Sequence, residues 1–269
     1  MLKRCLESVG KSKGVTFECH VVTSDLYFRQ NVLKKEEDPK WLQVWYEAGG
    51  PAHKRNVGVA RSQAEWLIFL DDDVEVSPYC FYEFIRWMEE HPKCGMAFAK
   101  ILNMERRDEF DDCGSWITWT GFLWARSQNN QQDRGQFDQP ERCLSSKSAT
   151  CIASKQAFFN SGGFDADYYI LGEETDLAWR MWLLGYECWY MPGAVSWHAF
   201  GTKYKPQMTY YTYERIHRYG CRNYLSLLWT NLGWPKFISI LPLHLSAWFL
   251  SAMGFCLTGK WNRGMEIMR

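Results

Sequence analysis

Five consecutive apolar residues, Trp66-Leu67-Ile68-Phe69-Leu70, run without a break into Asp71-Asp72-Asp73. A run of that length and character reads as a buried parallel strand. The acids then stand where the strand leaves its sheet, the edge at which open α/β sheets bind ligands. Adjacent carboxylates repel one another, and a divalent cation bound to a phosphate-bearing ligand neutralises them. A metal–nucleotide site is one reading. The other is a solvated acidic turn leading into a helix that starts at Ser77-Pro78.

The surrounding segments alternate between strand and helix patterns. A helix pattern at Leu2, Cys5, Leu6 and Val9 precedes a strand over 17–22, a polar loop over 31–40 and a short strand over 42–46. Gly49-Gly50-Pro51 forms a turn, a helix follows over 52–64, and another runs over 79–90 to end near His91-Pro92. The alternation predicts a doubly wound α/β sheet. Residues 103–142 break the rhythm, and the tract 127–139, rich in Gln, Asn and Asp, reads as a mobile loop over a site or, in preference, as a solvated insertion.

With 31 basic and 31 acidic residues, no global field draws nucleic acid, and no basic run with interleaved aromatics supplies a binding stripe. The ten cysteines show no CxxC pair and no zinc-ligand spacing, as suits reduced thiols in a cytosolic compartment. From Trp234 to Leu257 the chain is almost free of charge and long enough to cross a bilayer, although Pro242 and His244 interrupt it. Lys236, Lys260, Arg263 and Arg269 flank it, with Trp229, Trp234 and Trp261 as aromatic anchors. The expectation is a helix or helical hairpin lying in or entering a membrane face. Residues 1–205 are expected to form the catalytic domain and 206–269 a helical, membrane-associated region.

A second dense segment holds Gly162-Gly163-Phe164-Asp165, then Gly172-Glu173-Glu174-Thr175-Asp176-Leu177-Ala178-Trp179-Arg180, then Pro192-Gly193-Ala194-Val195-Ser196-Trp197-His198. Glu173, Glu174 and Asp176 fall in a helix's first turn, where the macrodipole favours anions, and Asp176 can pair with Arg180 one turn on. Helix-start stabilisation accounts for the cluster. A general base also needs a carboxylate at an element's edge, and Glu174 is not required for the local pair.

Taken in order, KRNVGVA, FLDDDVEV, GGFD, GEETDLAWR and PGAVSWH resemble the inverting, metal-dependent glycosyltransferases of family 2, with a GT-A fold. The resemblance covers about residues 15–225 and is closest to the rhamnosyltransferase-like and galactofuranosyltransferase-like branches, which build bacterial cell-surface glycans. It implies a GT-A type doubly wound mixed sheet, Rossmann-like, and a divalent metal, Mn2+ or Mg2+, held by Asp71, Asp73 and His198. It also implies donor contacts from Arg55, Asn56 and Asp72, and Glu174 as the acidic base, with Glu173 as runner-up. The family's first strand ends in a Pro-Thr-x-Asn-like turn that this sequence lacks, so the first strand is expected to be missing. Thr23 stands where relatives carry an acid, with Asp25 a substitute nearby.

The implied reaction moves a sugar from a nucleoside diphosphate-sugar to a hydroxyl of a glycan or polyprenol-linked acceptor, with inversion, at the cytoplasmic face of the cell membrane. Competing readings are a metal-dependent phosphotransferase or hydrolase, and a non-catalytic membrane-attached module derived from a transferase.

Overall fold

A computed structural model describes residues 1–25, 39–128, 131–199 and 210–268, with backbone alone over 210–216. The first half contains α1 (Leu2–Val9), β1 (Cys19–Thr23), β2 (Leu42–Tyr46), α2 (Pro51–Arg61), β3 (Trp66–Leu70), β4 (Val74–Val76), α3 (Cys80–Glu90) and β5 (Cys94–Asn103). Next come β6 (Phe110–Asp112), a hairpin of β7 (Ser115–Ile117) and β8 (Leu123–Ala125), β9 (Glu141–Arg142) and β10 (Thr150–Ser154). Then follow α4 (Lys155–Asn160), α5 (Glu173–Leu183), β11 (Glu187–His198), α6 (Tyr210–Asn231), α7 (Trp234–Leu257) and α8 (Trp261–Met268).

The main sheet runs β3-β10-β5-β11-β4, with β6 on β5 and β9 on β11. β5 and β11 are parallel and the other pairings antiparallel, so the sheet is mixed, as expected. β5 lies at its centre because both its faces are apolar. Met96, Phe98 and Leu102 point into one cluster, with Phe158 of α4 and Leu177 and Met181 of α5. Ala97, Ala99 and Ile101 point into the other, with Cys5 of α1 and Phe81, Phe84 and Met88 of α3. The period-two alternation of a strand thus builds a three-layer α/β/α core.

Several expectations need correction. β3 is antiparallel to β10, with Ile68 opposite Ile152, and is not a parallel strand; apolar periodicity reports burial and carries no strand direction. The first strand begins at Cys19 because Phe17 leaves the ladder to pack on Trp41 and Phe81, ring centroids 5.3 and 5.8 Å away. α2 stops at Arg61, where the extended Ser62 turns its hydroxyl to Glu18 at 2.8 Å. Of the loop expected over 31–40, all but residues 39 and 40 falls outside the described residues.

Within the tract 127–139, the described stretch from 131 to 139 is anchored, not merely solvated. The buried Lys100 of β5 donates to Asp133 at 2.7 Å and to Asp138, and Phe137 packs on Phe110. A buried ammonium requires such partners.

β1 and β2 form a separate parallel pair. Between β1 and β3 lies a cavity of about 480 Å³, walled by both strands and by α1 and α2. The C-terminal helices join the main body through Leu227 and Leu228 of α6, which pack on Leu144, Tyr168 and Trp179. All ten cysteines are free thiols.

Candidate active site

The backbone brings the distant site residues together in two steps. β3 delivers Asp71, whose N–H donates to Ala149 O at 3.0 Å, and β4 then turns back to pair antiparallel with the end of β11. That register sets His198 opposite Val74, and Ala199 N–H donates to Asp73 O at 3.0 Å. β4 therefore stands between the acids and α3, which excludes the acidic turn as a helix cap. In β11, residues 192–194 bulge out between the pairs Met191–Ala99 and Val195–Lys100. The bulge passes over α3, where a Cβ on Gly193 would come within 3.1 Å of Glu83. Such bulges re-aim the residues that follow them.

Asp71, Asp73 and His198 each offer one ligand atom, and the three atoms lie within 4.8 Å of one another. His198 Nε2 lies 3.5 Å from Asp73 Oδ1, while Nδ1–H donates to Asp111 Oδ2 at 2.8 Å. Lys147 donates to the other oxygen of Asp111 at 2.7 Å. A carboxylate behind an imidazole fixes its orientation and raises its basicity, the usual arrangement behind a ligating histidine. Burial disfavours a charge on His198, but Asp111 and Asp73 outweigh it and push the pKa up to about 9. Asp111, although burial opposes its charge, is held below the usual carboxylate range by His198 and Lys147. Two carboxylates and an imidazole suit a divalent cation, and the imidazole favours Mn2+ over Mg2+. Asp72 is exposed beside this cluster.

Arg55 of α2 joins the metal-type cluster to the second acidic segment. Its Nη2 donates to Asp71 Oδ1 at 2.7 Å and its Nη1 to Glu173 Oε1 at 2.8 Å. Burial opposes the guanidinium charge, yet Asp71 and Glu173 hold its pKa above the ordinary value. α5 begins after Gly172, at φ 90, and carries Glu173, Glu174 and Asp176 in its first turn as expected. The Asp176–Arg180 pair forms at 2.6 Å. Arg180 also donates to Gly163 O at 2.8 Å and to Ser161 O. From the other side, Asn56 donates to Phe164 O at 2.7 Å and accepts from Phe164 N–H at 3.1 Å. The Gly162-Gly163 turn is thus clamped, and the amide of Asn56 is spent on backbone.

Glu174 is half-buried, and among the described residues no ion pair engages it. Burial, reinforced by the neighbouring Glu173 carboxylate, pushes its pKa up to about 8. Glu173 is the buried, Arg55-paired acid, so the two glutamates occupy different environments. At the far side of the cavity, Thr23 lines the wall together with Arg55, Asp71 and Asp72, and Asp25 does not.

Sequence reasoning missed Asp111, Lys147 and Asn223. Asp111 and Lys147 gave no signal, because their meaning comes from a histidine distant in the chain. Asn223 of α6 is buried and reaches Tyr168 O, Ile170 O and Leu171 O at 2.8, 2.8 and 2.7 Å. It holds the loop that enters α5, in which Tyr169 and Leu171 adopt positive φ of 60 and 72°. Non-glycine residues there are held only by their surroundings.

Residues 66–261 match the family described as Glycosyl transferase family group 2. By sequence, no curated protein matches the chain. Among solved structures, GalNAc-T7 with UDP, GalNAc and Mn2+ matches with TM-score 0.66 at 16% identity, over 84% of this chain and 44% of its own. The mannosyltransferase PcManGT from Pyrobaculum calidifontis, in complex with GDP-Man and Mn2+, matches with TM-score 0.58 at 13% identity, over 99% of this chain and 81% of its own. TarS of S. aureus matches with TM-score 0.54 at 16% identity, over 91% of this chain and 40% of its own. At such identities the likeness is one of fold. The chain therefore spans less than half the length of GalNAc-T7 and of TarS.

Proposed function

The chain belongs to glycosyl transferase family group 2, and from that premise we propose that it transfers a sugar, with inversion, from a nucleoside diphosphate-sugar to a hydroxyl of a glycan or polyprenol-linked acceptor. The mixed α/β sheet is that of a GT-A glycosyltransferase. The observation that carries the reading is the meeting of Asp71, Asp73 and His198 beside the Arg55–Glu173 pair at the start of α5.

Asp71, Asp73 and His198 would hold the divalent cation, and two structural neighbours solved with Mn2+, one with UDP and one with GDP-Man, support that assignment. When bound, the cation supplies electrostatic relief for the charge that gathers on the departing diphosphate. Arg55 fixes Asp71 in place and brings a guanidinium to the donor side, with Asp72 and Thr23 on the same cavity wall. Glu174 takes the proton of the acceptor hydroxyl. Its raised pKa makes it a stronger base than an ordinary glutamate, and one whose pKa lies close to neutral pH. A single displacement opposite the leaving group inverts the anomeric carbon, and the chain need supply no covalent nucleophile.

α6 of the C-terminal helices packs on Trp179 of α5, the helix that begins with Glu173 and Glu174. α7 is, among the described residues, the helix long and apolar enough to cross a membrane, and only 17% of its most apolar stretch is buried in the protein. A helix serving as soluble core would be largely covered. This exposure supports attachment to a membrane, and on this reading the chain works at the cytoplasmic face with a lipid-linked acceptor in cell-surface glycan synthesis.

The test is release of nucleoside diphosphate from a panel of UDP-, GDP- and dTDP-sugars, with and without Mn2+ and with added glycan acceptors. Mn2+-dependent release that Asp73→Asn abolishes is expected. Release of inorganic phosphate without sugar transfer would instead assign a hydrolase.

A further inference from the structure

The β7–β8 hairpin carries three tryptophans that the active site does not use. Trp116 and Trp124 face each other across the ladder, and Trp119 stands in the turn, 80% exposed. Trp119 is the most exposed aromatic side chain among the described residues, and Trp124 is itself 58% exposed. Exposed indoles in a cluster cost solvation free energy and mark a surface that meets something apolar.

The hairpin is seated on α7 and α6. Thr120 O lies 2.8 Å from His244 Nε2, the Phe122 ring stacks on His244 at 4.1 Å between centroids, and Tyr224 donates to Gly121 O at 2.8 Å. Gly121 has φ +86, and a Cβ there would stand 2.6 Å from Ile240, so backbone meets helix directly. At the tip, Lys236 Nζ lies 5.3 Å from the Trp119 ring centre. Hairpin and helix therefore pack together into one surface.

α7 buries Phe237, Ile240 and His244 and presents Leu243, Leu245, Phe249 and Leu250 outward. Trp119, Trp124, Trp229 and Trp234 are exposed on the hairpin and at the α6–α7 junction. No aspartate or glutamate occurs over 113–132 or over 215–265, whereas Lys236, Lys260 and Arg263 do. Resting on the reading that α7 meets a membrane, we propose that the β7–β8 hairpin and α7 form one docking face for an anionic bilayer, with Trp119 and Trp124 at headgroup level. Exposed aliphatic side chains, indoles and cations are the residue types that meet acyl chain, interface and anionic headgroup.

The face is coupled to the proposed active site. Ile117 and Leu123 of the hairpin pack in the cluster that holds Trp179 and Trp182 of α5. Ser145, bridged to Ser115, lies 3.0 Å from Thr175 Oγ1, next to Glu174. A hairpin set at the headgroups would hold the start of α5 at a fixed height above the lipid, where the hydroxyl end of a lipid-linked acceptor emerges.

The test is co-sedimentation of the full chain with vesicles of phosphatidylglycerol and phosphatidylcholine, compared with phosphatidylcholine alone. The double substitution Trp119→Ser and Trp124→Ser should lower partition onto the anionic vesicles at least about tenfold with an unchanged melting temperature. Trp119→Glu, at a side chain that a fold has little reason to need, should do the same alone. Phe159→Ser, at an aromatic on α4 outside this face that is about as exposed as Trp124, should leave partition as it was. Wild-type binding that neither tryptophan variant weakens overturns the hairpin's role and leaves the α7 reading standing. Absence of wild-type binding removes both. A self-association in solution that the double variant dissolves, without vesicle binding, would assign the face to contact between copies of the chain and overturn the lipid proposal.

Discussion

Asp111 Oδ2 accepts a hydrogen bond from His198 Nδ1 at 2.8 Å, and Lys147 grips the other carboxylate oxygen at 2.7 Å. This pins the imidazole with Nε2 toward Asp73, from which it is 3.5 Å away. Loss of such a supporting carboxylate typically lowers metal affinity about 10–100-fold. Asp111→Ala should weaken Mn2+ binding by about that factor in calorimetry, and Asp111→Asn, which keeps an acceptor oxygen, should recover most of it. Equal affinities in all three proteins would show that His198 is not a ligand or needs no support.

Glu174 and Glu173 share a helix turn and differ in what they touch. Glu173 is paired with Arg55, whereas Glu174 is raised to about 8 by burial and by the Glu173 carboxylate. Glu174→Gln should leave donor binding nearly unchanged and cut turnover by roughly a hundredfold or more, as loss of a general base does. Since the base must be ionised, wild-type turnover should rise with pH and level off above about 8. A profile flat from mildly acidic to mildly basic pH would move the role elsewhere.

Stability of the metal-free protein should fall as pH rises. His198 has a folded pKa of about 9 against an ordinary 6.5, and Glu174 about 8 against 4.5, so the folded state holds more protons than the unfolded one in between. The stabilisation of protonated His198 is complete below pH 6.5 and is lost as pH rises through 9. Ionising Glu174 adds a penalty that grows from pH 4.5 to 8. The melting temperature should therefore decline steadily between these limits, and His198→Gln should flatten the upper part. A melting temperature that climbs with pH in calorimetric scans contradicts both assignments.

The elements written in short-range pattern were legible in the sequence. β2 (Leu42–Tyr46), β3 (Trp66–Leu70) and α7 (Trp234–Leu257) have the bounds that apolar runs and punctuation gave them, and the Asp176–Arg180 pair follows from helix periodicity. The nearness of His198 to Asp71 and Asp73 came from family resemblance, and no local pattern contains it. What stayed hidden is long-range pairing. Nothing near Trp66 states that its strand will lie antiparallel to β10, and nothing near Asp133 states that Lys100 is buried against it. Asp111 is invisible for the same reason, since its role exists only once β6 and the end of β11 are in place beside it.

Asn223 and its neighbour Arg222 tie α6 to the loop that enters α5, with Arg222 Nη2 donating to Asp167 O at 2.5 Å and to Tyr168 O at 3.4 Å. Asn223 Nδ2 lies 2.7–2.8 Å from the carbonyls of Tyr168, Ile170 and Leu171 in a loop where Tyr169 and Leu171 have positive φ. Asn223→Ala removes the donor from Ile170 O and Leu171 O, while Tyr168 O keeps Arg222 and the Ile170 N–H, at a cost of about 1–3 kcal/mol. For a domain of this size each kcal/mol shifts the melting temperature by roughly 2–4 °C. The loop positions Glu173 and Glu174, so turnover should fall further than lost stability explains, measured well below the melting transition. Asn223→Asp should be worse than alanine, since it places a carboxylate against three carbonyl oxygens with no donor of its own. If Asn223→Ala melts with the wild type, the loop is held by its own turns and by Arg222, and the Asn223 amide contributes nothing to it.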